Sequence, residues 1–125
     1  MLPAFSKEDI VKATGREELI RKTIDQIIKD FAEFDLNISF SGEVNDFYDH
    51  LFAQMLEHIT NLLANHQEKL FNLLYRIDVN MNDIDKYEQQ MPEVPYNNLL
   101  TELILHRELK KVMTREYFRH YSGQK

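Results

Sequence analysis

Glycine and proline are nearly absent from this sequence, three of each in 125 residues, and that scarcity restricts the fold more than any other feature. All-β sandwiches and barrels need Gly and Pro at their many turns. A chain without them is best served by long helices and few connections. The apolar residues agree. Leu19, Ile20, Thr23, Ile24, Ile27, Ile28, Phe31 and Phe34 recur at helical spacing, with Arg21, Lys22, Asp25, Gln26 and Lys29 opposite. This pattern predicts an amphipathic helix over roughly 15–35, opened by the capping box Thr14 and Glu17 and preceded by a short helix over 7–13 capped by Ser6 and Asp9. Gly15 stands where that short helix should stop.

Residues 36–42, "LNISFSG", alternate too briefly for a sheet and read as an extended connection whose Leu36, Ile38 and Phe40 cover one end of a bundle. With Ser41 as N-cap, a second helix is expected over 43–64. Its stripe is Val44, Phe47, Tyr48, Leu51, Met55, Ile59, Leu62 and Leu63, with Asp46, Asp49, Ala53, Glu57 and Thr60 turned away. Asn65 and Glu68 can then cap a third helix over 66–77, buried through Leu70, Phe71, Leu73, Leu74 and Ile77; the same stretch could continue the second helix unbroken, and the caps favour a break.

The stretch "DVNMNDIDKYEQ", residues 78–89, resembles a calcium loop at first reading. Such a loop takes ligands at positions 1, 3, 5, 7, 9 and 12, with Gly at 6 and a bidentate Glu at 12. Asp78, Asn80 and Asn82 satisfy the first three, but position 6 is Asp83 and position 12 is Gln89, with Glu88 one residue early. A turn accounts for every residue: Asn80 or Asn82 caps a short helix over 83–90, with Asp83 or Asp85 as the cap partner.

"MPEVP", residues 91–95, is a rigid connector, because each Pro fixes its own φ and pushes the residue before it out of helix. The last helix is expected over 96–120. Leu99, Leu100, Leu103, Ile104 and Leu105 surround its axis on most sides. Such a helix is either central in the fold or carries a second face into a partner. The chain therefore reads as one all-α domain over 1–125, a bundle of about four main helices whose last few residues form a flexible end. The apolar surplus of the last helix, with Leu109, points to a homodimer with two-fold symmetry.

The net charge of −6 argues against nucleic acid as a general partner. It is unevenly spread: residues 99–125 carry a balance of +3, leaving −9 on the rest. The absence of Cys rules out disulfides and thiolate metal sites and makes a reducing cytoplasm the expected compartment. No apolar run exceeds three residues, so neither a membrane span nor a signal-peptide core is expected.

Chemistry is sparsely marked. His50, His58 and His66 are spaced eight apart, about 12 Å of helical rise per step, too far to share one ion. Asp46 with His50 and Glu102 with His106 have the i, i+4 spacing, but the Glu-x-x-His motif of carboxylate-bridged bundles does not occur. No metal and no cofactor is expected. The three Gly residues form no phosphate loop, and the G-x-S-x-G and H-E-x-x-H motifs are missing.

Three low-signal features remain. His58 falls in the apolar stripe of its helix, and Glu102 and His106 share a side of the last one. If the three lined an interior pocket, they would support a small helical enzyme or ligand-binding bundle. Without a nucleophile or oxyanion donor in sight, they read as structural polar groups. Arg107, Lys111 and Arg115, spaced i, i+4, i+8, make a basic stripe that would suit an acidic protein partner or a phosphate backbone. Such a stripe also serves to pair with acids on neighbouring helices. The reading that follows is a non-catalytic helical interaction or scaffold module that self-associates.

Overall fold

A computed structural model describes residues 17–43 and 46–122, with side chains described as far as Glu116. Among the described residues there are five helices and no strand: α1 Glu17–Ala32, α2 Phe47–Asn65, α3 Gln67–Ile77, α4 Met81–Gln90 and α5 Tyr96–Ser122. The short helix expected over 7–13, and the capping residues Ser6, Asp9 and Thr14, lie outside the described residues.

α5 organises the rest. It has 27 residues, about 40 Å at the helical rise, and each of the other four helices packs on it. Leu99, Leu100, Leu103, Ile104, Leu105, Leu109 and Val112 are all buried within the single chain. The surplus that pointed to a two-fold partner is thus taken up internally: α1 and α2 flank α5, and α3 and α4 close the remaining sides. α4 and the 36–42 connection, which look thin in the sequence, contribute buried Ile84, Tyr87, Leu36 and Ile38. Among the described residues, no helix is long and apolar enough to cross a membrane.

The helix ends explain how the chain manages with so little Gly. α1 stops at Ala32 rather than 35, because Asp35 takes the left-handed conformation (φ 60°). Around it Leu36 N–H donates to Phe31 O and Asp35 N–H to Ala32 O, the paired bonds of a Schellman end. α3 ends the same way: Asp78 (φ 72°) is left-handed, Val79 N–H donates to Leu74 O and Asp78 N–H to Tyr75 O. Asp tolerates this region better than most side chains.

The connection 36–43 runs back along α2. Ser39 and the Gln54 amide exchange two hydrogen bonds, 2.9 Å and 2.7 Å, while Leu36 and Ile38 sink into the core. This return path delays α2, which starts at Phe47 and not at 43; Asp46 precedes it without a side-chain cap bond. Phe47, Leu51, Met55, Ile59 and Leu62 form its buried stripe, as the spacing predicts.

A break separates α2 from α3, as expected, but its hinge is His66 (φ −146°, ψ 61°) and not Asn65, which stays in α2 and bonds Asn61. α4 begins at Met81, earlier than 83, since Asn80 Oδ1 accepts from Asp83 N–H at 2.9 Å and caps it there. Two assignments to helix faces change. Phe71 is exposed rather than buried, because α3 turns only Leu70, Leu73, Leu74 and Ile77 inward. Gln26 is buried rather than solvent-facing, because α5 covers a wide arc of α1.

Candidate functional site

The residues singled out in the sequence fall into separate places. His58 is held by the α1–α2 connection: its Nε2 lies 2.8 Å from Asn37 O, and its ring stands 6.3 Å from that of Phe31. Glu102 and His106 do come together, with Nε2 3.7 Å from Oε1, and the Tyr48 ring meets the buried His106 edge-on. Burial first, and then the Glu102 and Asp49 carboxylates, hold the Tyr48 hydroxyl above its ordinary pKa, so it stays a neutral phenol. Tyr48 and His58 are ten positions apart on one helix, about 15 Å of rise. The expected trio is therefore a pair plus a residue bound elsewhere. Among the described residues, no group of three or more His, Asp or Glu side chains is placed to hold a metal ion.

The basic stripe turns toward its own chain. Arg107 Nη2 meets Asp78 Oδ2 at 2.9 Å and its Nε donates to the Asp78 carbonyl at 3.2 Å. Lys111 Nζ lies 3.4 Å from Asp30 Oδ2, and Arg115 Nη1 donates to Gln26 Oε1 at 3.2 Å. The acids of the loop at 78–89 likewise act in the fold: Asp78 closes α3 and anchors Arg107, and Asn80 caps α4.

Following that stripe inward leads to the most unusual chemistry in the molecule. Asp30 on α1 and Glu108 on α5 are both fully buried. Asp30 Oδ1 accepts from Gln26 Nε2 at 3.0 Å, and Oδ2 faces Lys111; Arg76 Nη2 of α3 approaches Oδ1 at 3.8 Å. Arg76 is itself bound to Glu33 through two hydrogen bonds of 2.7 Å and 3.1 Å. Its guanidinium holds the Glu33 carboxyl below the usual range. Glu108 sits within hydrogen-bonding reach of Asp30, and Lys111 Nζ is 3.7 Å from its Oε1. Burial, reinforced by the Asp30 carboxylate and only partly opposed by Lys111, pushes Glu108 up to about 9.

Sequence reasoning passed over both carboxylates, although a signal was present. Asp30 follows Thr23 and Ile27 by seven and three residues, and Glu108 lies midway between Ile104 and Val112. Helical geometry places each charge inside an apolar stripe, where an ionisable group needs a partner.

Around this pair the seam between α1 and α5 continues in polar contacts, through Gln26 with Arg115 and then Lys22 with Glu116. A shallow hollow of about 250 Å3 lies over that outer end, lined by Lys22, Asp25, Gln26, Lys29, Arg115 and Glu116. Neither Asp30 nor Glu108 opens into it. The arrangement can hold and release a proton, but gives a substrate no route to the acids through this hollow. No protein-family model, curated protein or solved structure matches this chain.

Proposed function

We propose that this chain is a non-catalytic helical interaction module that self-associates, and that its contact surface is the outer face of α3. The observation supporting this reading is the pair Phe71 and Tyr75, one turn apart on α3 and 53% and 89% exposed. Bulky aromatic side chains are enriched at contact surfaces, because they bury a large area while few rotors are frozen. Asn72 beside them is exposed and uncharged, so it adds no like-charge repulsion to a contact centred on the two rings.

An antiparallel two-fold pairing of α3 with its copy sets the Tyr75 ring of each molecule over the Phe71 ring of the other, a self-complementary contact. Eleven residues of helix offer less than the roughly 800 Å2 per partner of a standard interface. The association is accordingly weak, with Kd on the order of 100 µM. The absence of Cys suits a reducing cytoplasm, where we place the protein.

Neither alternative gains comparable support. His58 is engaged with Asn37 away from Glu102 and His106, and Arg107, Lys111 and Arg115 meet partners within the chain. Sedimentation equilibrium tests the proposal. The mean mass should rise above 15.0 kDa as the concentration approaches roughly 500 µM, several times that Kd, and Tyr75→Glu should abolish the rise with helical content unchanged. A wild-type mass fixed at the monomer value throughout would refute it.

A further inference from the structure

We propose that Asp30 and Glu108 form a proton-binding site, in which the two carboxyl groups hold one proton between them at neutral pH. The argument begins with a count of charges. Asp30, Glu108 and Glu33 face Arg76 and Lys111, three acids against two bases. Arg76 is committed to Glu33 and reaches Asp30 only at 3.8 Å. Lys111 alone lies between the two buried acids, 3.4 Å from one and 3.7 Å from the other. One negative charge therefore lacks a counter-charge where both carboxylates are fully closed to water. A buried carboxylate in that position takes up a proton rather than stay ionised.

Hydrogen bonding decides which group carries the proton. Asp30 has donors on both oxygens, Gln26 on one and Lys111 on the other. Neither oxygen of Glu108 accepts a hydrogen bond, although both are buried. Two ionised carboxylates offer only acceptors and cannot bond to each other. Protonated Glu108 donates to the Asp30 carboxylate and thereby satisfies itself. Asp30 is thus the anion and Glu108 the acid, and the elevated Glu108 pKa follows from the same surroundings.

The charged groups acting on Glu108 come from three helices: Asp30 on α1, Arg76 on α3 and Lys111 on its own α5. Among the described interactions, α2 and α4 add none. Release of the proton to solvent leaves two adjacent carboxylates with one shared ammonium, at the contact between α1 and α5. The ligand of this site is the proton itself, exchanged above neutral pH.

The test is a carboxyl carbon-13 NMR titration of the unmodified full chain, labelled at Glu and Asp. Glu108 Cδ should titrate with a midpoint near 9, and Asp30 Cγ should show an inflection at the same pH, because both report one proton. A Glu108 midpoint below 7, or an Asp30 signal that does not respond when Glu108 titrates, would overturn the proposal.

Discussion

Arg107 Nη2 lies 2.9 Å from Asp78 Oδ2, so the middle of α5 is fastened to the left-handed residue that closes α3. The link explains why a loop rich in Asp and Asn sits where it does. Asp78 turns the chain, receives Arg107 on its side chain and its carbonyl, and leaves Asn80 to cap α4. Asp78 is 79% exposed at its side chain, so the ion pair is screened. Arg107→Ala should lower stability by less than about 1 kcal/mol. Chemical denaturation measures it; a much larger loss would mean that the side chain does more than tie the turn.

Lys111 presents the opposite case, because its acidic partners are sealed from solvent. Lys111→Met removes the one cation shared by Asp30 and Glu108. With the ammonium itself about a quarter exposed, the expected loss is about 2 kcal/mol at pH 7, less than the roughly 3–5 kcal/mol of a fully buried broken pair. Denaturant titrations at pH 7 test it, and a loss no larger than that of Arg107→Ala would contradict it.

Asp35 provides a gain rather than a loss. Its φ of 60° favours Gly, and among the described residues no side-chain hydrogen bond or ion pair ties this exposed residue to the fold. Asp35→Gly should raise stability by about 0.5 kcal/mol, the relief of left-handed strain less the added freedom of the unfolded chain. A drop in melting temperature would show that the Asp side chain supports the end of α1.

Leu105 separates a central helix from an interface helix. It is 1% exposed inside the single chain, so Leu105→Glu should abolish the cooperative unfolding transition and most of the helical signal, rather than yield a well-folded monomer. Circular dichroism through a thermal ramp is sufficient. A mutant that keeps the wild-type transition would return α5 to the surface.

Much of this fold is legible in the sequence because helical periodicity is a local property. Phe47, Leu51, Met55, Ile59 and Leu62 stand where their spacing places them, and a break follows α2 as expected, one residue later than the predicted cap. What periodicity cannot convey is how widely a neighbour covers a helix. Gln26 and Asp30 become interior only because α5 lies over them, and Phe71 becomes exterior because no described residue covers it. The same limit hid the acid pair. Each carboxylate is a mild irregularity in its own helix, and the chemistry exists only where α1 meets α5. The apolar surplus of α5 was plain, but whether it faced the chain or a copy depended on α4 and the 36–42 connection, whose short segments understate their burial.

The central claim, that α1 and α5 meet through a neutral Glu108 beside an ionised Asp30, is tested most directly by unfolding free energy against pH for the wild type and Glu108→Gln. The amide keeps the shape and a donor for Asp30 but cannot ionise. Glu108 has its pKa raised in the folded state, to about 9 from an ordinary 4.5, so the folded wild type holds one more proton than the unfolded chain between those values. The contribution of Glu108 to wild-type stability should therefore be full below about pH 4.5 and be lost as pH rises toward 9. Because other titrating groups cancel between the two proteins, the advantage of Glu108→Gln should grow from pH 5 to pH 9. The slope should approach about 1.4 kcal/mol per pH unit, with a plateau above. Curves that stay parallel across this range would contradict the account.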